Sequence, residues 1–335
     1  MSRTWRRGGQ AVIGPRAAVV SIAVLIALVA SGSAHARSYG LGVSTPGVSS
    51  SSSHPGRALD AYARRVHRMP AVVMWYQSWH QPWRYKLVVP RVMRAVKSRG
   101  AVPMITWLPR VTARGAPASL ADIAAGRYDR FLRRSAAEAA RWGKRFFLRP
   151  FHEMNGRWQP WGVNVNGNDA STFIAAWRHV VRIFNRAGAT NVRFVFSPNV
   201  ISGASPSFTS LYPGDRWVDW TGLDGYNFGA ADWRSFRTIF AVSYRTMTNL
   251  THRPLLVCET ASAEGGGHKG RWVRRAFLRH IPNHFSRVHA VIWFNRQKER
   301  DWRVNSSSGS LRAYRAVARS SVAHATGSRV LGWGR

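Results

Sequence analysis

Eight short runs rich in apolar, β-branched and aromatic residues recur along the chain, ending at or near Ser44, Trp79, Trp107, Glu153, Asn199, Asn227, Glu259 and Asn295. Between 28 and 46 residues separate neighbouring ends. That is room for a helix and two loops each time, and no tight-turn signal joins two runs as a hairpin. Eight strands in alternation with helices predict a (β/α)8 barrel of the TIM type in a single domain. An open doubly wound sheet is the competing arrangement, but no run is followed by the glycine-rich phosphate turn of that fold. In a barrel, chemistry gathers at the carboxyl ends of the strands, so the residues at those eight ends carry functional weight.

The intervening segments support this order. Residues 172–187 form the clearest helix, with Phe173, Trp177, Val180, Val181 and Phe184 in one stripe and Arg178, Arg182 and Arg186 off it. Aromatics at that spacing read as core packing. Helices are also expected over 59–69, 90–98, 121–143 and 311–323, with Asp129 as a cap and Gly143 as a stop. The sixth strand is expected to run from 217 to 227. The barrel is expected over residues 37–325, followed by a loose tail at 326–335. Residues 1–36 read as an export signal: Arg3, Arg6, Arg7 and Arg16 precede an apolar run at 17–30 and the triplet Ala34-His35-Ala36. A run of that length is short for a membrane span, so cleavage and secretion are expected, with an uncleaved anchor as the alternative. Cys258 is the single cysteine among 335 residues, which excludes an internal disulfide.

Acids are scarce. The chain holds 14 Asp and Glu against 50 Lys and Arg, a formal net charge of +36. No nucleic-acid-binding motif accompanies that charge, so no specific nucleic acid is expected, although weak association with anionic envelope polymers is. Five of the acids are Glu, and two of these, Glu153 and Glu259, close the fourth and seventh strands. Cleavage of a glycosidic bond needs two carboxyl groups, one to protonate the leaving oxygen and one to attack the anomeric carbon or activate water. Their environments must differ. An apolar wall at Met154 and Trp158 would raise the pKa of Glu153 towards an acid's range, while a donor such as Tyr226 would keep Glu259 ionised. Tryptophans at strand ends can stack on sugar rings, and Trp293, Trp107, Trp158 and Trp161 are the candidates. The other reading of both glutamates is ion pairing with the many arginines.

The segment Arg149-Pro150-Phe151-His152-Glu153-Met154-Asn155-Gly156, with Trp158 and Pro160-Trp161, resembles the acid/base signature of glycoside hydrolase family 26, the β-mannanase family. Tyr212-Pro213-Gly214-Asp215, Trp217-Val218-Asp219-Trp220 and Gly222-Leu223-Asp224-Gly225-Tyr226-Asn227 agree with it in order. The resemblance implies a retaining endo-hydrolase of β-linked polysaccharide that needs no cofactor and no metal. Glu153 would be the acid/base and Glu259 the nucleophile. His152, Trp158, Tyr226, Trp293 and Trp107 would form the substrate site. β-1,4-Mannan comes first among substrates, with β-1,3-1,4-glucan and β-1,3-xylan next, because Phe294 is apolar where some mannanases place a polar contact. A monomer is expected. The alternatives are a non-catalytic carbohydrate-binding barrel of the cell envelope and a scaffold that works by its charge. The glycine-rich turn at 263–269 is expected to be either a lid or a plain surface loop.

Overall fold

The computed structural model describes residues 1, 2, 4, 8, 38–79, 86–111 and 116–332. The apolar run at 17–30 and the Ala34-His35-Ala36 triplet, read above as an export signal, lie outside them.

Eight strands, β1 (Gly40–Ser44), β2 (Val72–Ser78), β3 (Val102–Leu108), β4 (Phe146–Pro150), β5 (Val192–Phe196), β6 (Trp220–Asp224), β7 (Leu255–Thr260) and β8 (Val288–Phe294), are arranged in chain order as a closed barrel. Every pairing is parallel, and β1 closes the circle on β8. The expected (β/α)8 barrel is the observed fold. The helices are α1 (Pro55–Val66), α2 (Pro90–Lys97), α3 (Leu120–Ala124), α4 (Asp129–Trp142), α5 (Ala170–Arg186), α6 (Phe236–Leu250), α7 (Lys269–Arg275), α8 (Ile281–His284), α9 (Ser308–Arg319) and α10 (Gly327–Gly332). A π turn over Ala276–His280 joins α7 to α8.

Strand alternation sorts side chains into two layers. Val72, Met74, Met104, Phe147, Val195, Trp220, Leu256, Ala290 and Ile292 fill the barrel. Their neighbours, among them Trp75, Ile105, Trp107, Leu148, Phe194, Val257 and Trp293, pack outward against the helices.

Three local expectations change. The helix expected over 121–143 is two helices. Gly126 takes a positive φ of 84°, Ser119 caps α3 by accepting from Asp122 N, and Asp129 is the first residue of α4 rather than its cap. The sixth strand starts only at Trp220, because Asp215–Trp217 forms a 3-10 turn. Of the segment expected as a loose tail, Gly327–Gly332 forms a short helix instead. Ala325 N donates to Tyr39 O at 3.1 Å, and Val330 is fully buried in the cluster that fills the barrel. Valine and leucine in this segment have apolar surface to bury, and the barrel end beneath β1 offers the place. Val330→Ala is expected to cost about 2 kcal/mol, read as a lower midpoint in urea with an unchanged slope.

Candidate active site

β4 ends at Pro150, and the chain then folds back on itself. Phe151 and Glu153 take left-handed φ of 51° and 54°, a conformation that costs a non-glycine residue about 1–2 kcal/mol. Glu153 N donates to Ser197 O at 2.8 Å and Gly156 N to Glu153 O at 2.9 Å, which holds the turn. The chain thus breaks at Phe151, ahead of the Asn155-Gly156 pair. Asn155 serves as a brace, donating from Nδ2 to Asn199 O and Pro206 O and accepting from Asn199 N at 2.8 Å.

Glu259 reaches the same space by a different device. Against β6, Leu223 pairs with Val257 but Asp224 with Glu259; against β8, Val257 pairs with Val291 but Thr260 with Trp293. Both neighbours record one extra residue in β7, a β-bulge. Cys258 belongs to the barrel-filling layer, so strict alternation would turn Glu259 outward. The bulge turns it inward.

The two glutamates line one cavity of about 940 Å³ with Tyr76, His152, Trp158, Gln159, Asn199, Tyr226, Phe294, Arg296 and Trp302. Glu153 accepts from Trp158 Nε1 at 2.5 Å and Gln159 Nε2 at 3.2 Å on one oxygen, and from Asn199 Nδ2 at 3.0 Å on the other. Burial pushes its carboxyl above the ordinary range, and the charge of Glu259 adds to the shift, outweighing those three donors. Burial would raise Glu259 too. Arg149 overrides it, with help from the Tyr226 hydroxyl at 2.6 Å, and Glu259 is held down at about 2. Two carboxyls in one cleft are therefore driven in opposite directions.

Arg149, fully buried, is the hinge of this arrangement. Its NH1 donates to both oxygens of Asp224 at 2.9 and 2.8 Å, its NH2 to Glu259 Oε1, and its Nε to Thr106 Oγ1 at 3.0 Å. Gly222 admits no side chain, since a Cβ there would meet Cys258 Sγ at 2.5 Å and Ser197 Oγ at 2.9 Å.

His152 is buried against Tyr76 and Trp161, and burial followed by the charge of Arg149 lowers its pKa to about 3. It is neutral at physiological pH. Gln159 Nε2 lies 3.1 Å from His152 Nε2, so donation by the amide assigns the ring proton to Nδ1, which has no hydrogen-bond partner among the described residues. Trp158 is 47% exposed and forms an open wall of the cavity.

Two expected sugar platforms are elsewhere. Trp107 is buried among Trp79, Phe131 and Phe184, and Trp293 among Phe277, Tyr314 and Trp272. Both occupy outward positions in the strand alternation, so neither lines the cavity. Phe294, one residue on, faces inward, and Trp302 from the following loop packs 5.1 Å from Tyr226. Trp161 is also buried, its indole donating to His152 O at 2.8 Å.

Asp224, Tyr76, Gln159 and Asn199 were not singled out from sequence, nor was Arg149 given a role. Arg149 carried a signal, as a charge on the interior phase of an apolar strand, and Asn199 one as the end of the fifth strand, though without a role; Gln159 carried none.

The turn at 263–269 is tied down. Ala230 N donates to Gly265 O at 2.7 Å. Lys269 Nζ donates to Asp301 O, Arg303 O and Ser306 Oγ, and Ser306 Oγ donates to Glu264 Oε1. These bonds join that turn to the loop carrying Trp302.

The model of the family described as glycosyl hydrolase family 26 matches residues 137–265, the span that contains β4 to β7 and both glutamates. Over those residues the chain is similar to glycosyl hydrolase family 26. It is 40% identical over 229 residues to Endoglucanase H of Acetivibrio thermocellus, covering 66% of this chain and 25% of that protein. It is 30% identical over 162 residues to a mannan endo-1,4-beta-mannosidase of Bacillus subtilis, covering 46% and 40%. The chain thus spans well under half the length of either family relative. In fold it resembles the catalytic domain of a family 26 endo-beta-1,4-mannanase of Bacillus sp. JAMB-750, with a TM-score of 0.67 at 20% identity over 89% of this chain and 90% of that one. An endo-beta-1,4-mannanase of Cellulomonas fimi gives 0.65 at 16% identity, covering 87% and 74%.

Proposed function

We propose that this chain is a secreted, retaining endo-β-glycanase in which Glu153 is the acid/base and Glu259 the nucleophile. The observation that carries the reading is that two buried glutamates share one cavity in opposite surroundings, Glu153 among neutral donors and Glu259 against the Arg149 guanidinium. Glu153, protonated, gives its proton to the leaving glycosidic oxygen as that C–O bond breaks. Glu259, ionised, forms a bond to the anomeric carbon from the opposite face. Water then attacks that carbon, Glu153 takes a proton from it, and the Glu259 carboxylate is released. Tyr226 holds Glu259 in line, His152 lines the cavity beside Glu153, and Trp158, Phe294 and Trp302 supply apolar faces.

The backbone proposed is a β-linked glucan or mannan, in keeping with the names of the family relatives. Release of reducing ends from lichenan, mannan, glucomannan and β-1,3-xylan tests this, and proton NMR of the first-formed anomer tests retention. Failure on every polymer would overturn the reading in favour of a non-catalytic carbohydrate-binding barrel. The arginine-flanked run before the barrel supports export. The net charge of +36 supports retention on anionic envelope polymers, to be checked by elution of the protein from isolated cell walls with salt.

The two pKa directions set the pH profile. The ionised nucleophile persists down to about 2, so the alkaline limb belongs to loss of the Glu153 proton. Trp158 donates to the Glu153 carboxylate and favours its charged form. Trp158→Phe is therefore expected to move the alkaline limb of kcat/KM to higher pH while lowering its plateau by about tenfold. A limb that stays put or moves down would separate Glu153 from that limb.

A further inference from the structure

The reading above leaves one lining residue without a task. Arg296 follows β8 and is half-buried at the edge of the cavity. Its Nε lies 3.4 Å from Ser44 Oγ and its NH2 donates to Thr45 O at 3.2 Å. Both acceptors are neutral, and NH1 makes no hydrogen bond with any described residue. The acids of the cleft are engaged elsewhere: Asp232 by Arg234 at 2.9 Å, Glu299 by Lys298 at 2.7 Å and Glu259 by Arg149. Glu153 is occupied by three neutral donors.

Charge alone decides nothing in a chain with 50 basic residues. Position does. A cation withdrawn from water ordinarily acquires an anion, because desolvation is otherwise uncompensated. Here no described carboxylate lies at ion-pair distance from Arg296, Glu259 acting on it only at longer range, and the side chain lines the space that the polysaccharide would fill. Arg110 lines the same cavity, as does Lys298 paired with Glu299. A neutral sugar hydroxyl accepts one hydrogen bond from a guanidinium; a carboxylate accepts two parallel ones and adds the charge.

We infer that Arg296 forms an anion subsite in the cleft, and that the polysaccharide this chain takes carries a carboxylate-bearing sugar, a uronosyl unit, close to the bond that is cleaved. The inference rests on the glycanase reading. Arg296 interacts electrostatically with Glu259, which sets the subsite next to the reaction centre rather than at a distant end of the groove.

The test compares a neutral glucomannan oligosaccharide with its C6-oxidised counterpart, which has the same backbone with primary alcohols converted to carboxylates. The unmodified protein is expected to favour the oxidised oligosaccharide in kcat/KM by about tenfold, with the advantage shrinking as salt rises. Arg296→Gln is expected to remove that preference and Arg296→Lys to restore part of it. Arg312→Gln, on the exposed side of α9, is expected to leave the ratio unchanged. Equal rates on the two oligosaccharides, or a preference that survives in Arg296→Gln, would overturn the subsite. Binding of the same pair is read separately by calorimetry. An inactive protein that still binds the oxidised form more tightly, in an Arg296-dependent way, upholds the subsite and overturns the glycanase reading. A protein that binds neither overturns both.

Discussion

Glu259→Gln is expected to lower kcat by roughly 10⁴-fold or more, about 5.5 kcal/mol of barrier, while oligosaccharide binding measured by calorimetry changes little. The amide keeps the shape of the carboxylate, its one oxygen can still accept from Arg149, and its nitrogen can donate to the Tyr226 hydroxyl oxygen, so the fold is spared. What it loses is the lone pair that bonds to the anomeric carbon. Added azide, a small anionic nucleophile, should restore turnover in Glu259→Ala and give a glycosyl azide of inverted configuration. Glu153→Gln separates the two roles. It should lose about 10²- to 10⁴-fold on polysaccharide but far less on an aryl glycoside, whose leaving group departs without a proton. If Glu259→Gln keeps full activity on every polymer, the nucleophile is another group.

The second large effect concerns Arg149. Its one charge serves Asp224 and Glu259 together, and all three groups are buried. Arg149→Met removes the cation and leaves two carboxylates facing each other out of water. Breaking a buried ion pair from one side costs about 3–5 kcal/mol, which should appear as a large drop in the urea midpoint near neutral pH that narrows as pH falls and the stranded carboxyls take up protons. The sign follows from Glu259. A folded-state value near 2 lies below the ordinary glutamate value of about 4.3. Its contribution to stability is therefore present above about pH 4.3 and is lost as pH falls towards 2. Arg149→Lys keeps a charge but not the fork, since an ammonium cannot hold both acids in one plane. That variant should fold, and the acid limb of its pH–rate profile should move upward as Glu259 loses its counterion. An unmoved limb would mean that Arg149 is structural only.

The barrel itself was legible because its signal is repetitive: eight apolar runs at helix-sized intervals. The meeting of the two glutamates in one cleft was legible because acids are scarce in this chain and both fall at strand ends. Which tryptophans face the cleft was not. Trp107 and Trp293 stand at strand ends, yet the two-residue period of a strand decides the face, and both fall on its outward phase. The same rule applied to β7 would have turned Glu259 away from the cleft. The extra residue between Val257 and Thr260 reverses that, and a bulge in a run of ordinary strand-forming residues leaves no mark in composition. Asn199 was marked only as a strand end; its role and that of Gln159, as donors to Glu153, come from the turn after β4 and not from any local pattern.

The seam of the barrel bears on how the cleft is completed during folding. β1 pairs with β2 only at Gly42–Val72 and Val43–Val73, but with β8 along its whole length. Tyr39 is held by Val322, Ala325 and Phe277. The first strand thus takes most of its backbone partners from residues some 250 positions later, contacts of very high sequence separation that form late. Ser44 and Thr45 at its end secure Asn295 and Arg296. A chain with β2 to β7 already assembled would hold both glutamates near each other and still lack the Arg296 wall. In pulse-labelled hydrogen exchange, the amides of β1 and Asn295 should gain protection after those of β3 to β5, and a cleft able to cleave should precede one able to choose among charged substrates.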